Sequence, residues 1–321
     1  MKRPIVVCAA DLNHLPAVCG LLESCGEVRY IQATPEALAA AIADADAYFA
    51  SMHVRITADM MAAAPGLRAI ATPSTGLDHI DLEAARQRGI AVLSLKDDRQ
   101  LLDRITATAE LAWALILTCA RRFPEAMEAV RRGVWARDLV RGHQIAYKTL
   151  GVLGLGRLGT MVAQYGLAFR MRVLGCDIRP VDLPGVQRVD LDRLLGESDV
   201  LTIHVHLTEE TRGLIGRRRL QAMKPGSILI NTSRGAIVDE AALLEALRDG
   251  PLAAAGLDVI EGEWREDIAD HPLMAYARTH PNLIITPHVG GVTCESQEMA
   301  YQAAARKLVD WLAGNPAGEG R

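Results

Sequence analysis

Nothing in this chain calls for a metal centre or a disulfide staple. Its six cysteines, Cys8, Cys19, Cys25, Cys119, Cys176 and Cys294, show neither a CxxC pair nor zinc-type spacing. Five lie in apolar or small-residue stretches, which reads as free thiols and makes a reducing cytoplasm the default location. An excess of one charge is also missing, since 35 Lys and Arg face 39 Asp and Glu for a net −4. That balance gives no reason to expect nucleic acid as a partner. The longest apolar span, residues 111–120, falls far below the roughly 18 residues that a membrane helix needs, so no membrane association is expected. The apolar start is broken at Asp11, Asn13 and His14, favouring a first buried strand over a signal peptide. Fixed-period repeats, low-complexity sequence and a Gly/Pro/Ser-rich linker are absent as well.

What is present is a regular alternation. At 321 residues, half of them hydrophobic, the chain fits two domains of roughly 100–200 residues each. Short apolar runs at 5–9, 28–32, 47–51, 68–72 and 91–95 read as strands, with helical spacing between them, as at 35–45 and 57–64. A second series follows at 149–153, 172–176, 200–205, 227–231, 253–259 and 283–286. Strands alternating with helices predict an α/β fold, two Rossmann-like or flavodoxin-like domains with parallel sheets and a cleft between them. Residues 82–89 read as a helix with a glycine stop, 107–121 as a long apolar helix, and 296–312 as an amphipathic helix before a polar Gly/Pro tail.

Gly154-Leu155-Gly156-Arg157-Leu158-Gly159 follows one strand and opens a helix. In that context Gly154 permits the tight turn, Gly156 lets backbone amides approach a pyrophosphate, and Gly159 lets helix and strand pack closely. Arg157 and Leu158 begin the helix whose N-terminus faces the phosphates. Asp177 ends the next strand, 18 residues past Gly159. A carboxylate there accepts from both ribose hydroxyls and repels a 2′-phosphate, so NAD is favoured and NADP is the lesser choice. Arg179 works against that preference, because an arginine accommodates a 2′-phosphate.

Three further segments each end on a residue suited to hydride chemistry. Arg234 lies in Asn231-Thr232-Ser233-Arg234-Gly235, Glu263 follows Gly256-Leu257-Asp258-Val259-Ile260-Glu261-Gly262, and His288 closes Leu283-Ile284-Ile285-Thr286-Pro287-His288. With these stand Ser74-Thr75-Gly76-Leu77-Asp78-His79-Ile80-Asp81, Thr108-Ala109-Glu110-Leu111, Met223-Lys224-Pro225-Gly226-Ser227 and His288-Val289-Gly290-Gly291. In this order the chain resembles the D-isomer-specific 2-hydroxyacid dehydrogenases over residues 47–291.

The resemblance implies that Arg234 holds a substrate carboxylate and polarises the C2 oxygen, a task suited to a planar, permanently charged fork. His288 would exchange the proton at that oxygen, and Glu263 would pair with its far nitrogen. Glu261 is the rival carboxylate, since a small change in loop path exchanges the two. The family usually follows this glutamate with proline, where this chain has Trp264. Thr75 and Gly76 match the loop whose backbone amides receive the carboxylate. Thr108, Thr232, Ser233, Asp258 and Gly290 match positions on the nicotinamide side. His206 and Thr211 fall on the adenosine side, His206 where the family commonly has proline. His79 and His204 read as packed or surface histidines.

Substrate identity is less legible. Relatives acting on phosphoglycerate commonly place an arginine after the third strand. Here Ser51-Met52-His53 precede Arg55, so a small unphosphorylated 2-keto acid is expected, with Met52 and His53 as the specificity wall. The length leaves no room for the C-terminal regulatory domain of longer relatives. The expected division is a substrate domain of 1–100 plus 294–321 and an NAD-binding Rossmann domain of 101–293, with hinges near Leu101 and Cys294. Residues 94–102 are longer and more charged than the family's common link, which suggests a lid or a subunit contact. The helix 107–121 and the 131–135 region are apolar enough to suggest a buried partner, and relatives pair there, so a homodimer is implied. The expected function is NAD-dependent interconversion of a 2-keto acid and its D-2-hydroxy acid, without a metal. A non-enzymatic NAD(H)-sensing protein of the same fold is the alternative.

Overall fold

The computed structural model describes residues 3–314; the Gly/Pro tail beyond them lies outside the described residues. The chain divides into two compact units, one running to Ile105 and resuming at Cys294, the other from Thr106 to Thr293. The first crossing therefore falls a few residues later than the expected Leu101. Its cause is packing: Leu102 and Ile105 are buried in the first unit's core, beside Leu95 and Leu308.

The first unit carries five parallel strands, β1 (Ile5–Cys8), β2 (Glu27–Tyr30), β3 (Ala47–Phe49), β4 (Ala69–Ala71) and β5 (Ala91–Leu93), in the order β2-β1-β3-β4-β5. Strands β1, β3 and β4 are buried along their whole length, as expected for a parallel sheet covered on both faces. One face packs under Val18, Leu22, Ala304 and Leu308. The helix Cys294–Leu312 lies against the helix Pro16–Cys25, and this apolar seam returns the chain's end to its beginning. Residues 94–102, the long charged link, contain a short helix, Arg99–Leu102, capped by Asp98. Lys307 donates to the Ser94 carbonyl at 2.8 Å, so the link is tied to the C-terminal helix.

The second unit carries seven parallel strands, β6 (Thr149–Leu153), β7 (Arg172–Cys176), β8 (Val186–Arg188), β9 (Val200–Ile203), β10 (Ser227–Asn231), β11 (Leu252–Leu257) and β12 (Leu283–Ile285), in the order β12-β11-β10-β9-β6-β7-β8. Strand β8 was not expected. It is a three-residue edge with only Val186 partly buried, too short and too polar to show a period. The helix Ala107–Arg121 covers one face with Ala112, Leu115 and Ile116, alongside Val162 and Ala163 of the helix Arg157–Ala168.

From β6 the chain moves outward to β7 and β8, then returns to β9 on the other side of β6. That reversal is the topological switch point, and ligands of such sheets bind outside the C-terminal ends of the strands there. The glycine fingerprint follows β6, Asp177 follows β7 and His204 follows β9. Arg234, Asp258 and His288 follow β10, β11 and β12 in turn. Parallel pairing alone thus gathers residues more than a hundred positions apart along one edge of one sheet.

Candidate active site

The glycine turn is built by close approach. Gly154 has φ +91°, and a side chain there would meet the His204 carbonyl and Val205. A carbon added to Gly159 would run into the Gly154 carbonyl. Gly156 differs: an added carbon there would meet nothing nearer than the Arg179 guanidinium, at 3.9 Å. Gly154 and Gly159 shape the turn, while Gly156 leaves room above the helix N-terminus. Arg157 and Leu158, both partly buried, open that helix.

Asp177 Oδ2 accepts from the Leu155 N–H at 2.7 Å, and Oδ1 accepts from the Arg179 N–H at 2.8 Å and its Nε at 3.3 Å. Burial pushes this carboxyl up, but those hydrogen bonds and the guanidinium outweigh it, and its pKa lies below the ordinary carboxylate value. Asp177 is therefore an anion that also ties the glycine loop to β7. A charged carboxylate here and clear space over Gly156 fit a dinucleotide with an unphosphorylated ribose.

His204 donates its main-chain N–H to the Leu153 carbonyl and sets Nε2 2.8 Å from Thr202 Oγ1. Burial depresses its pKa to about 4, so the ring is neutral and packed, the first of the two readings its sequence allowed. His206 is exposed, and its carbonyl accepts from Thr211 Oγ1 at 2.6 Å. Both lie on the loop after β9.

After β10 the backbone folds back on itself. Asn231 Nδ2 donates to the Arg234 carbonyl at 2.9 Å, Asn231 Oδ1 accepts from the Ser233 N–H at 3.0 Å, and Ser233 Oγ donates to the Ile203 carbonyl at 2.8 Å. Thr232 is buried. Arg234 Nη1 donates to the Ser233 carbonyl at 2.7 Å. A side chain on Gly235 would collide with the Ile260 and Glu261 backbone, so the arginine segment is pressed directly against the loop that carries the acidic residues.

Asp258, 1% exposed, organises that region. Its Oδ1 accepts from Thr286 Oγ1 at 2.6 Å and the Val289 N–H at 2.9 Å, and its Oδ2 from the Gly290 N–H at 2.8 Å. Burial raises its pKa, with these donors and the nearby His288 acting the other way. A carbon added to Gly290 would meet Asp258 Oδ2 at 2.9 Å and Thr108 Cγ2 at 3.1 Å, so Thr108 shares the pocket. His288 is held within this frame. Its N–H donates to the Asp258 carbonyl at 2.9 Å and its φ is +52°, a backbone conformation that a side chain adopts only under local constraint.

The imidazole Nδ1 lies 2.7 Å from Glu263 Oε1, and both side chains are less than one-fifth exposed. Glu261 instead faces Arg212, at 3.4 Å. The indole of Trp264 stacks on the imidazole, with centroids 5.7 Å apart and planes inclined by 21°. The proline-to-tryptophan departure thus places an aromatic wall over the ring. Sequence reasoning missed this contact, because a stacking partner is not legible from one substitution. It also missed that Glu240 lies between the Glu261 N–H and the His271 ring.

In the first unit, Thr75 and Gly76 follow β4 and are partly buried. Ser74 Oγ shapes their turn by donating to the Gly76 carbonyl at 2.8 Å, while Thr72 Oγ1 meets the buried His79 Nε2 at 3.0 Å. His53 follows β3 on an exposed turn and donates its N–H to Ser51 Oγ at 3.2 Å. Among the described residues, no helix is long and apolar enough to cross a membrane, and no group of three His, Cys, Asp or Glu is placed to hold a metal ion.

Residues 113–290 match the family described as D-isomer specific 2-hydroxyacid dehydrogenase, NAD binding domain. The chain is 39% identical to a glyoxylate reductase of Aeropyrum pernix, over 98% of its own length and 94% of the relative's. It is 37% identical to a D-3-phosphoglycerate dehydrogenase of Methanocaldococcus jannaschii, but spans only 58% of that relative. The crystal structure of a D-lactate dehydrogenase from Aquifex aeolicus, complexed with NAD and lactic acid, superposes with a TM-score of 0.85 at 30% identity, covering 97% of this chain and 96% of that one. The chain belongs to the D-isomer-specific 2-hydroxyacid dehydrogenases and is an NAD-dependent oxidoreductase.

Proposed function

We propose that this enzyme reduces a small, unphosphorylated 2-keto acid to its D-2-hydroxy acid, with His288 as the proton donor, Glu263 as its partner and Arg234 as the carboxylate clamp. The observation that carries this reading is the 2.7 Å contact between His288 Nδ1 and Glu263 Oε1. It leaves Nε2 as the nitrogen that serves the substrate oxygen. The reduced nicotinamide, when bound, supplies the hydride. Arg234 offers a planar fork to the carboxylate and draws charge from the C2 oxygen as it develops. The Thr75 and Gly76 amides are proposed carboxylate contacts, and His53 a proposed specificity residue. Gly154, Gly156, Arg157, Leu158, Gly159 and Asp177 would hold the pyrophosphate and ribose, His206 and Thr211 the adenosine side. Thr108, Thr232, Ser233, Asp258 and Gly290 would hold the nicotinamide side.

The glyoxylate reductase of Aeropyrum pernix matches along nearly its whole length, which supports glyoxylate as the first substrate to test. Following NADH absorbance with glyoxylate, hydroxypyruvate, pyruvate and a phosphorylated 2-keto acid tests the reading. Turnover of the small acids supports it, and turnover of the phosphorylated one alone overturns the substrate class.

A homodimer is proposed on a separate observation. The helix Phe123–Arg131 has no buried residue, and Met127, Val130, Trp135 and Leu139 are exposed at 54%, 58%, 91% and 71%. Large apolar side chains left exposed along one segment support a protein contact there, and sedimentation velocity of the parent and Trp135→Asp proteins reads it.

A further inference from the structure

We propose that Glu240 and His271 are a positioning pair, which holds the loop between β11 and the helix Pro272–Ala277 in the shape that brings Glu263 to His288. The inference rests on the reading of Glu263 and His288 given above.

The loop needs such a hold. Glu261, Gly262 and Trp264 through Asp267 are exposed, and Gly262 turns at φ +69°. Its outer ion pairs, Arg212 with Glu261 and Arg265 with Asp267, are also exposed, where such contacts hold geometry weakly. Beneath it lies a second acid–imidazole pair. Glu240 Oε1 accepts from the Glu261 N–H at 2.7 Å, two residues before Glu263. The other oxygen, Oε2, lies 3.2 Å from His271 Nε2, and His271 is 5% exposed.

The hydrogen on that ring is placed by its surroundings. His271 Nδ1 accepts from the Leu273 N–H at 3.2 Å as the cap of the helix Pro272–Ala277. In the neutral ring the proton therefore sits on Nε2 and points at Glu240. Glu240 is itself the first residue of the helix Glu240–Arg248, whose cap Asp239 accepts from the Ala242 N–H at 3.0 Å. Two helix starts thus fix the two partners, and the partners fix the loop at Glu261 and at His271.

The charged groups around Glu240 are Asp239, Glu261 and Glu263, with His271 opposite. Burial pushes Glu240 up to about 7, the Glu261 N–H opposes this, and the three carboxylates add to it. A carboxyl kept in so unfavourable a setting, with both oxygens engaged, is tolerated where the contacts it makes are needed. A displacement of Glu263 by about 1 Å would break its bond to His288, and misplacement of that size costs on the order of a hundredfold in rate.

The test uses Glu240→Gln, whose single carbonyl oxygen serves only one of the two donors and sets its NH2 against the other, and His271→Phe, which keeps a flat ring without either bond. Each is made alone and with Glu263→Gln, and kcat, KM, NADH affinity and the pH–rate profile are measured. The expected single-variant result is a fall in kcat of roughly tenfold or more, a pH–rate profile moved to lower pH, and NADH affinity near the parent's. In the double variants the loss should be no larger than that of Glu263→Gln alone, because the pair acts through Glu263. Parent-like kcat in both single variants, or losses that multiply in the double variants, would overturn the proposal.

The emission of Trp264, taken as the difference from Trp264→Phe, gives a readout that needs no turnover. Both single variants should shift it to longer wavelength and expose it to iodide. If Glu263→Gln proves fully active, the catalytic reading fails, while unchanged Trp264 emission sinks the clamp itself.

Discussion

His288 and Glu263, 25 residues apart, meet Nδ1 to Oε1 at 2.7 Å, and the imidazole is covered on one face by Trp264. Both come from loops after adjacent parallel strands, β12 and β11, so their meeting is a consequence of strand order. Glu263→Gln should lower kcat on the order of a hundredfold, the scale of a positioned acid–base group, with NADH affinity unchanged. Glu261→Gln, at the exposed pair with Arg212, should stay within about twofold of the parent. Steady-state kinetics on both variants separate the two acids, and equal losses would return the partnership to doubt.

Gly156 and Gly159 of the turn should differ in what they lose. Gly156→Ala places a methyl in open space and should fold with a parent-like melting temperature. Its NADH dissociation constant should rise roughly tenfold or more, since a methyl forced into a close approach costs about 1–3 kcal/mol. Gly159→Ala runs into the Gly154 carbonyl and should lose about 1–3 kcal/mol of stability. Thermal unfolding and fluorescence titration check both. A destabilised Gly156→Ala with normal NADH binding would contradict this division of labour.

Asp177→Ala should narrow the preference for NADH over NADPH, because a ribose acceptor and a repelling charge leave together while Arg179 stays. Absolute NADH affinity should also fall, since the Leu155 N–H loses its acceptor. Paired dissociation constants give the ratio, and an unchanged ratio would show that selection lies elsewhere.

Glu240 predicts a pH effect of definite sign. Its folded pKa of about 7 lies above the ordinary 4.5. Its contribution to stability is therefore complete below about pH 4.5 and is lost as pH rises through about 7. The loss is on the order of 3 kcal/mol at most. Glu240→Gln cannot ionise, so its stability relative to the parent should improve between pH 5 and pH 8. Denaturant unfolding at those two pH values measures the difference, and a constant difference would show that Glu240 is not strained.

Much of the site was legible before any coordinates, for identifiable reasons. The glycine turn demands φ values and close approaches that few other residues meet, so Gly154 and Gly159 announced themselves. The buried strands β6, β7 and β10 carry enough apolar residues in a row to be bounded to the residue. Where local signal was thin, the reading slipped. Three-residue β8 passed unseen, and the first crossing moved from Leu101 to after Ile105, because side-chain packing and not composition sets that boundary.

Residue type, order and spacing determined by themselves that this chain builds two parallel-sheet units and carries a dinucleotide turn, an arginine, an acid and a histidine at strand ends. Those features are local, set by backbone sterics and the period of apolar residues. Only the tertiary structure decided which acid faces the ring. Glu261 and Glu263 lie in one short loop, and the choice follows from the turn at Gly262, the Gly235 contact and the buried Glu240–His271 pair beneath it. Contacts of that kind join residues tens of positions apart, and no linear pattern records them.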